Sequence, residues 1–144
     1  MSELTLAQAS TIVEAALEHA AGAGLKPLAV AVLDRGGALV AFKKQDGASL
    51  LRYEIAFGKA YGALALGAGS RAVAAMAEQR PAFIGAAIAA SQGRMIPVPG
   101  GVLIHAADGA LLGAVGISGD MSDNDEACGV AGITAAGLIA ATGG

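Results

Sequence analysis

Charge is scarce in this chain. Only 15% of its 144 residues are Asp, Glu, Lys or Arg, while 55% are hydrophobic; soluble domains ordinarily carry roughly a quarter charged residues. So much apolar surface needs a cover, and the composition predicts a homo-oligomer. The nine Lys and Arg are scattered and the net charge is −3, so no basic patch exists to hold a phosphate backbone and nucleic-acid binding is not expected. One cysteine, Cys128, excludes an intrachain disulfide and points to the cytoplasm. The first residues carry Glu3 where a signal peptide would be basic, and no apolar stretch follows, so secretion is not expected. Tryptophan is absent and aromatics make up 3% of the chain against 22 glycines. The core must therefore close by near approach of backbones rather than on large rings.

Recognisable chemical motifs are missing too. The chain has no phosphate-binding P-loop, no His-Glu-x-x-His, no Cys-x-x-Cys and no Gly-x-Ser-x-Gly, which removes the common nucleotide, zinc-protease and serine-hydrolase readings. Gly67-Ala68-Gly69 lies between helices rather than after a strand and reads as a turn. The uncharged run from Ala127 to the C-terminus is long enough to weigh as a membrane span, but its glycines, its threonines and its lack of flanking basic residues favour a buried helix of a soluble protein. No membrane partner is expected.

What is present reads as one domain over residues 1–144. Thr5-x-x-Gln8 is a capping box, and Leu6, Ala9, Val13, Ala16, Leu17 and Ala20 recur at helical spacing. The short apolar run Leu28 to Leu33, bounded by Pro27 and Asp34-Arg35-Gly36-Gly37, predicts a strand buried on both faces, with Ala38 to Phe42 returning as its hairpin partner. A second helix runs from Ser49 to about Leu66, with Tyr53, Phe57 and Tyr61 in one stripe expected to lie on the sheet. Ser70 can cap a third, short helix, and Pro81 to Ala90 is a further small-residue segment. After the proline-rich loop 94–101 come strands at Val102 to Ala106 and Leu111 to Ser118, joined through Asp108-Gly109. Ser122-x-x-Asp125 opens a final helix whose inner face is predicted as Ala127, Val130, Ala131, Thr134 and Leu138. This order makes an α+β domain with an antiparallel sheet and helices on its faces.

Several residues can carry chemistry, and each also has a plain structural role. His19 sits at the margin of the first helix's apolar stripe, where it can ligate a metal or haem iron or bond a carbonyl or water. His105 alternates with Ile104 and can simply be the solvent side of a half-buried strand. Lys59 falls away from the aromatic stripe, either on a solvated face or as a cation for a propionate or carboxylate. Asp123, Asp125 and Glu126 can act as a carboxylate cluster or serve the helix dipole alone. Cys128 reads as a buried, inert thiol.

Val30 to Gly37, Gly58-Lys59-Ala60, Pro97-x-Pro99-Gly100-Gly101, Gly113 to Gly119 and Asp125-Glu126-Ala127-Cys128 together resemble the GlcG/HbpS-type haem-binding family, which also occurs as the C-terminal domain of PduO-type cobalamin adenosyltransferases. The resemblance spans nearly the whole chain. It implies a profilin-like fold, a central antiparallel sheet of about five strands, and dimers that assemble into an octamer. It also implies haem or a related tetrapyrrole as ligand, with His19 as axial ligand to the iron, Lys59 or Arg35 pairing with propionates, and Gly100-Gly101 close to the ligand. A second reading is a cofactor-independent isomerase or lyase acting on a small organic acid or aromatic compound, with Lys59 holding an anionic substrate and Glu126 or Asp125 as base.

Overall fold

The computed structural model describes residues 3–144. Helix α1 (Leu6–Ala23) starts at the expected capping box: the Gln8 amide N–H donates to Thr5 Oγ1 at 3.0 Å, and the Thr5 amide N–H donates to Gln8 Oε1 at 3.0 Å. Such a cap is worth about 1 kcal/mol. Strands β1 (Ala29–Asp34) and β2 (Leu39–Lys44) form the first hairpin. Three helices follow, α2 (Arg52–Leu66), α3 (Ser70–Gln79) and α4 (Pro81–Ala90), then the second hairpin, β3 (Gly101–His105) and β4 (Leu111–Ser118). Helix α5 (Ser122–Ala135) and a three-residue strand, β5 (Ile139–Ala141), complete the chain. The sheet is antiparallel throughout, in the order β2-β1-β4-β3-β5.

The two faces of this sheet differ in thickness. On one, Val30, Val32, Val102, Ile104, Val115 and Ile117 meet α1 and α5 in the main core. On the other, Ala29, Ala31, Ala114 and Gly116 offer almost no side chain, and α2 lies directly on them through Ala56, Ala60 and Ala63. A Cβ added at Gly116 would stand 1.8 Å from the Ala56 carbonyl oxygen, and one at Gly101 would stand 2.1 Å from that of Lys59. The backbone approach demanded by a core poor in aromatics is found here.

Several expectations need correction. Small residues form the central sheet-facing row of α2, and the Tyr53-Phe57-Tyr61 stripe lies half-buried beside it, with Phe57 and Tyr61 against the cluster of Leu33 and Leu103 and with Phe42 of β2 edge-on to Tyr53. Ser70 does not cap α3: its hydroxyl donates to the Val98 carbonyl at 2.7 Å and accepts from the Gly101 amide at 2.6 Å, holding the proline-rich loop over β3. Val102, Leu103 and Ile104 are all buried, because helices cover β3 on both faces, so His105 is merely the half-buried end of that strand. The inner face of α5 is Asp125, Cys128, Gly129, Gly132 and Ile133, with Ala127 and Thr134 exposed. Glycine there lets the helix backbone come close, with a Cβ at Gly132 falling 2.5 Å from the Ile12 carbonyl oxygen. The C-terminal apolar run is not one helix, since Gly137 at φ +74° ends it and β5 then pairs with β3. No helix among the described residues is long and apolar enough to cross a membrane.

Candidate functional site

The most unusual group in the interior is Lys59. Its side chain leaves α2, crosses the Gly100-Gly101 corner at the start of β3, and ends at the far side of the sheet, where Nζ donates to the Ile117 carbonyl at 2.8 Å and to Asp125 Oδ2 at 3.1 Å. Lys59 is 2% exposed and Asp125 1%. The path exists because Gly100 has no side chain: at φ +125°, a Cβ there would sit 2.9 Å from Lys59 Cδ and Nζ. The other carboxylate oxygen, Oδ1, accepts the Asp120 amide N–H at 3.0 Å. Burial pushes the Lys59 ammonium below its ordinary range and the Asp125 carboxyl above its own, and the attraction between them opposes both shifts. The pair thus ties α2 on one face of the sheet to α5 on the other.

This arrangement changes how the predicted residues group. Lys59 is not on a solvated face, and its ammonium is committed to Asp125 and Ile117 rather than open to a propionate or substrate. Gly100 and Gly101 pack against Lys59 instead of lining an open cleft. Glu126 turns to Arg71, which donates from Nε at 3.0 Å and also binds Asp123 at 2.5 Å. The three acids at the start of α5 are therefore divided between two cations, and among the described residues no group of three or more His, Cys, Asp or Glu is placed to hold a metal ion. Asp120 accepts from the Lys26 and Met121 amides and from Asn124 Nδ2, and these hydrogen bonds lower its pKa to about 2.

Sequence reasoning missed Arg52, Arg71, Ser70 and Asp120. Their long-range partners lie 28 to 94 residues away, beyond what local spacing reveals; Arg71 directly after a helix start and opposite the acids of α5 was the one charge-pattern signal available.

His19 lies two turns beyond Ile12 on the same row of α1. It is exposed, not held at the core margin, because the seam between α1 and α5 closes on Ile12, Ala16 and Ala20 and stops short of the imidazole. Arg35 is exposed in the β1–β2 turn and shares a groove with Glu3 and Leu4 at the start of α1. At 1.5 Å per residue, about 20 Å of helix separates that groove from His19. The structure therefore does not bring His19 and Arg35 of one protomer together.

Cys128 is buried, and burial, reinforced by Asp125 and Asp120, pushes its thiol up to about 11. A thiol-specific reagent at about pH 8 is expected to leave it unmodified in the folded protein and to label it quickly in denaturant. Labelling of the native protein at the rate of a free thiol would contradict this placement.

Five antiparallel strands, two helices over the thick face and α2 over the thin one define an α+β architecture. Residues 4–134 match the family described as haem-degrading protein HbpS-like, and the chain belongs to that family. The crystal structure of HbpS is 30% identical with a TM-score of 0.79, over 93% of this chain and 90% of that one. A double mutant of HbpS from Streptomyces reticuli is 29% identical with a TM-score of 0.79, over 93% and 87%. The fold is shared with a PduOC:haem complex, at 24% identity and a TM-score of 0.85 over 96% and 98% of the two chains. No curated protein matches the chain.

Proposed function

We propose that this protein binds haem, or a closely related tetrapyrrole, with His19 as the axial ligand, and that it does so as a homo-oligomer in the cytoplasm. The observation that carries the reading is the placement of the two histidines: His105 is half-buried at a strand end, whereas His19 stands exposed on α1 with Ala15, Gly22 and Ala23 one turn before and after it. A planar macrocycle can approach an imidazole flanked by such small residues without a steric barrier. A histidine nitrogen is a suitable donor for haem iron, whose redox chemistry would come from the cofactor itself. The haem-degrading description of the family supports the same ligand. Exposed Leu6, Leu50, Leu51 and Met121 support assembly, since large apolar side chains left open on one protomer are natural contacts for another. The pairing of Lys59 with Asp125, and of Glu126 with Arg71, favours a structural role for these groups over the isomerase or lyase reading.

Titrating haem into the purified protein is expected to give a saturable, stoichiometric Soret band, and His19→Ala is expected to abolish it or shift its position. Equal spectra and affinities in the two proteins would remove His19 from the site. A weak, nonsaturating change in both would remove haem.

A further inference from the structure

A second site is built around Arg52, at the end of the sheet where α2 begins. Its guanidinium is half-buried and anchored at two points by neutral hydroxyls: Nε donates to Ser49 Oγ at 2.9 Å and Nη1 to the buried Ser118 Oγ at 2.8 Å. Lys43, Lys59 and Arg71 each meet a carboxylate, but among the described residues Arg52 meets none. A guanidinium carries five N–H donors. With those two engaged, three N–H donors remain, one on Nη1 and both on Nη2, and a carboxylate that takes one from each nitrogen is held in bidentate fashion.

Arg52 forms one wall of a groove of about 220 Å³ whose remaining lining is Lys26, Pro27, Gly47, Ala48, Ser49 and Gly119. Its two charged residues are both cations, and no carboxylate lines it. Of the acids near it in sequence, Asp46 and Glu54 are exposed and outside its lining, and Asp120, which feels the Lys26 charge, is turned onto the Lys26 and Met121 amides and Asn124. An anchored guanidinium, the exposed Lys26 side chain and a lining free of acids make an anion site. Pockets for drug-sized molecules run from roughly 300 Å³ upward, so this one suits a ligand of only a few heavy atoms.

We propose that this groove binds a small aliphatic carboxylate, held bidentately by Arg52 and attracted by Lys26. The site is independent of the haem reading. The test is an NMR titration of the whole protein with acetate at constant ionic strength, following the Arg52 Nε–H signal, with inorganic phosphate titrated in parallel. Acetate is expected to give a saturable shift in the wild type. Arg52→Gln, followed through neighbouring backbone amides, is expected to bind roughly tenfold more weakly or worse, as for loss of hydrogen bonds to a charged group. Arg52→Lys keeps the charge and loses the fork, so it should also bind more weakly, and it serves should Arg52→Gln misfold. His19→Ala should bind acetate like the wild type. A linear shift without saturation, undiminished affinity in Arg52→Lys, or phosphate binding as tightly as acetate would overturn the proposal.

Discussion

Lys59→Ala is expected to destabilise the fold by about 3–5 kcal/mol, the usual consequence of removing one partner of a buried ion pair. The substitution strands the Asp125 carboxylate where it is 1% exposed, and it also takes the donor from the Ile117 carbonyl. Denaturant unfolding followed by circular dichroism measures the loss. Asp125→Leu should be costly in the same way, because the Lys59 ammonium then loses its counter-charge. The double variant Lys59→Met with Asp125→Leu should be more stable than either single change, since no uncompensated charge remains. It should not fully regain wild-type stability, because the Asp120 amide still lacks its acceptor. If Lys59→Ala unfolded at the wild-type midpoint, the pair would not be the tie between α2 and α5.

Gly116→Ala is expected to be damaging too, for the opposite reason. Its new methyl group would lie 1.8 Å from the Ala56 carbonyl oxygen and 3.0 Å from the Ala60 nitrogen, so a helix backbone must move before it fits. Overpacking of this kind costs roughly 1–3 kcal/mol and occasionally more, and rigid backbone on the far side places this site at the upper end. Gly22→Ala is the matched control. It lies inside α1 with nothing within 4 Å of the added carbon, so the same change should stabilise by about 0.5–1 kcal/mol through helix propensity. Thermal unfolding of the two variants should move in opposite directions, and a common direction would contradict the close contact of α2 with β4.

Much of the architecture could be read from local sequence. The capping box at Thr5 and Gln8 started α1 where expected, the run from Leu28 to Leu33 became a strand buried on both faces, and Asp108-Gly109 turned the second hairpin with Gly109 at φ +89°. These signals act within a few residues. The burial of Lys59 was not legible, because its neighbours along and around α2 include Ala56, Gly58, Ala60, Gly62 and Ala63, which mark neither a polar nor an apolar face. Its partner lies 66 residues away. The inner face of α5 was misjudged for a related reason: Gly129 and Gly132 point inward, and hydropathy gives glycine no weight although it is what allows contact. Strand β5 has three residues, too few for a period of two to show. Of the candidate site, the histidine was visible in the sequence, but its exposure and its distance from Arg35 were set by where α5 ends its contact with α1.

The thin face of the sheet inverts the ordinary mutational tolerance of a protein interior. In a core of large side chains, the damaging changes are mostly deletions that leave a void. Beneath α2, Leu33 and Leu103 apart, there is little left to delete, and nearly every single-base path away from glycine or alanine adds volume against backbone. Residues 56, 60, 114 and 116 can therefore accept very few side chains without a shift of α2. Drift in the interior is channelled instead to the valine and isoleucine positions under α1 and α5, where a methyl group can be exchanged without moving a helix.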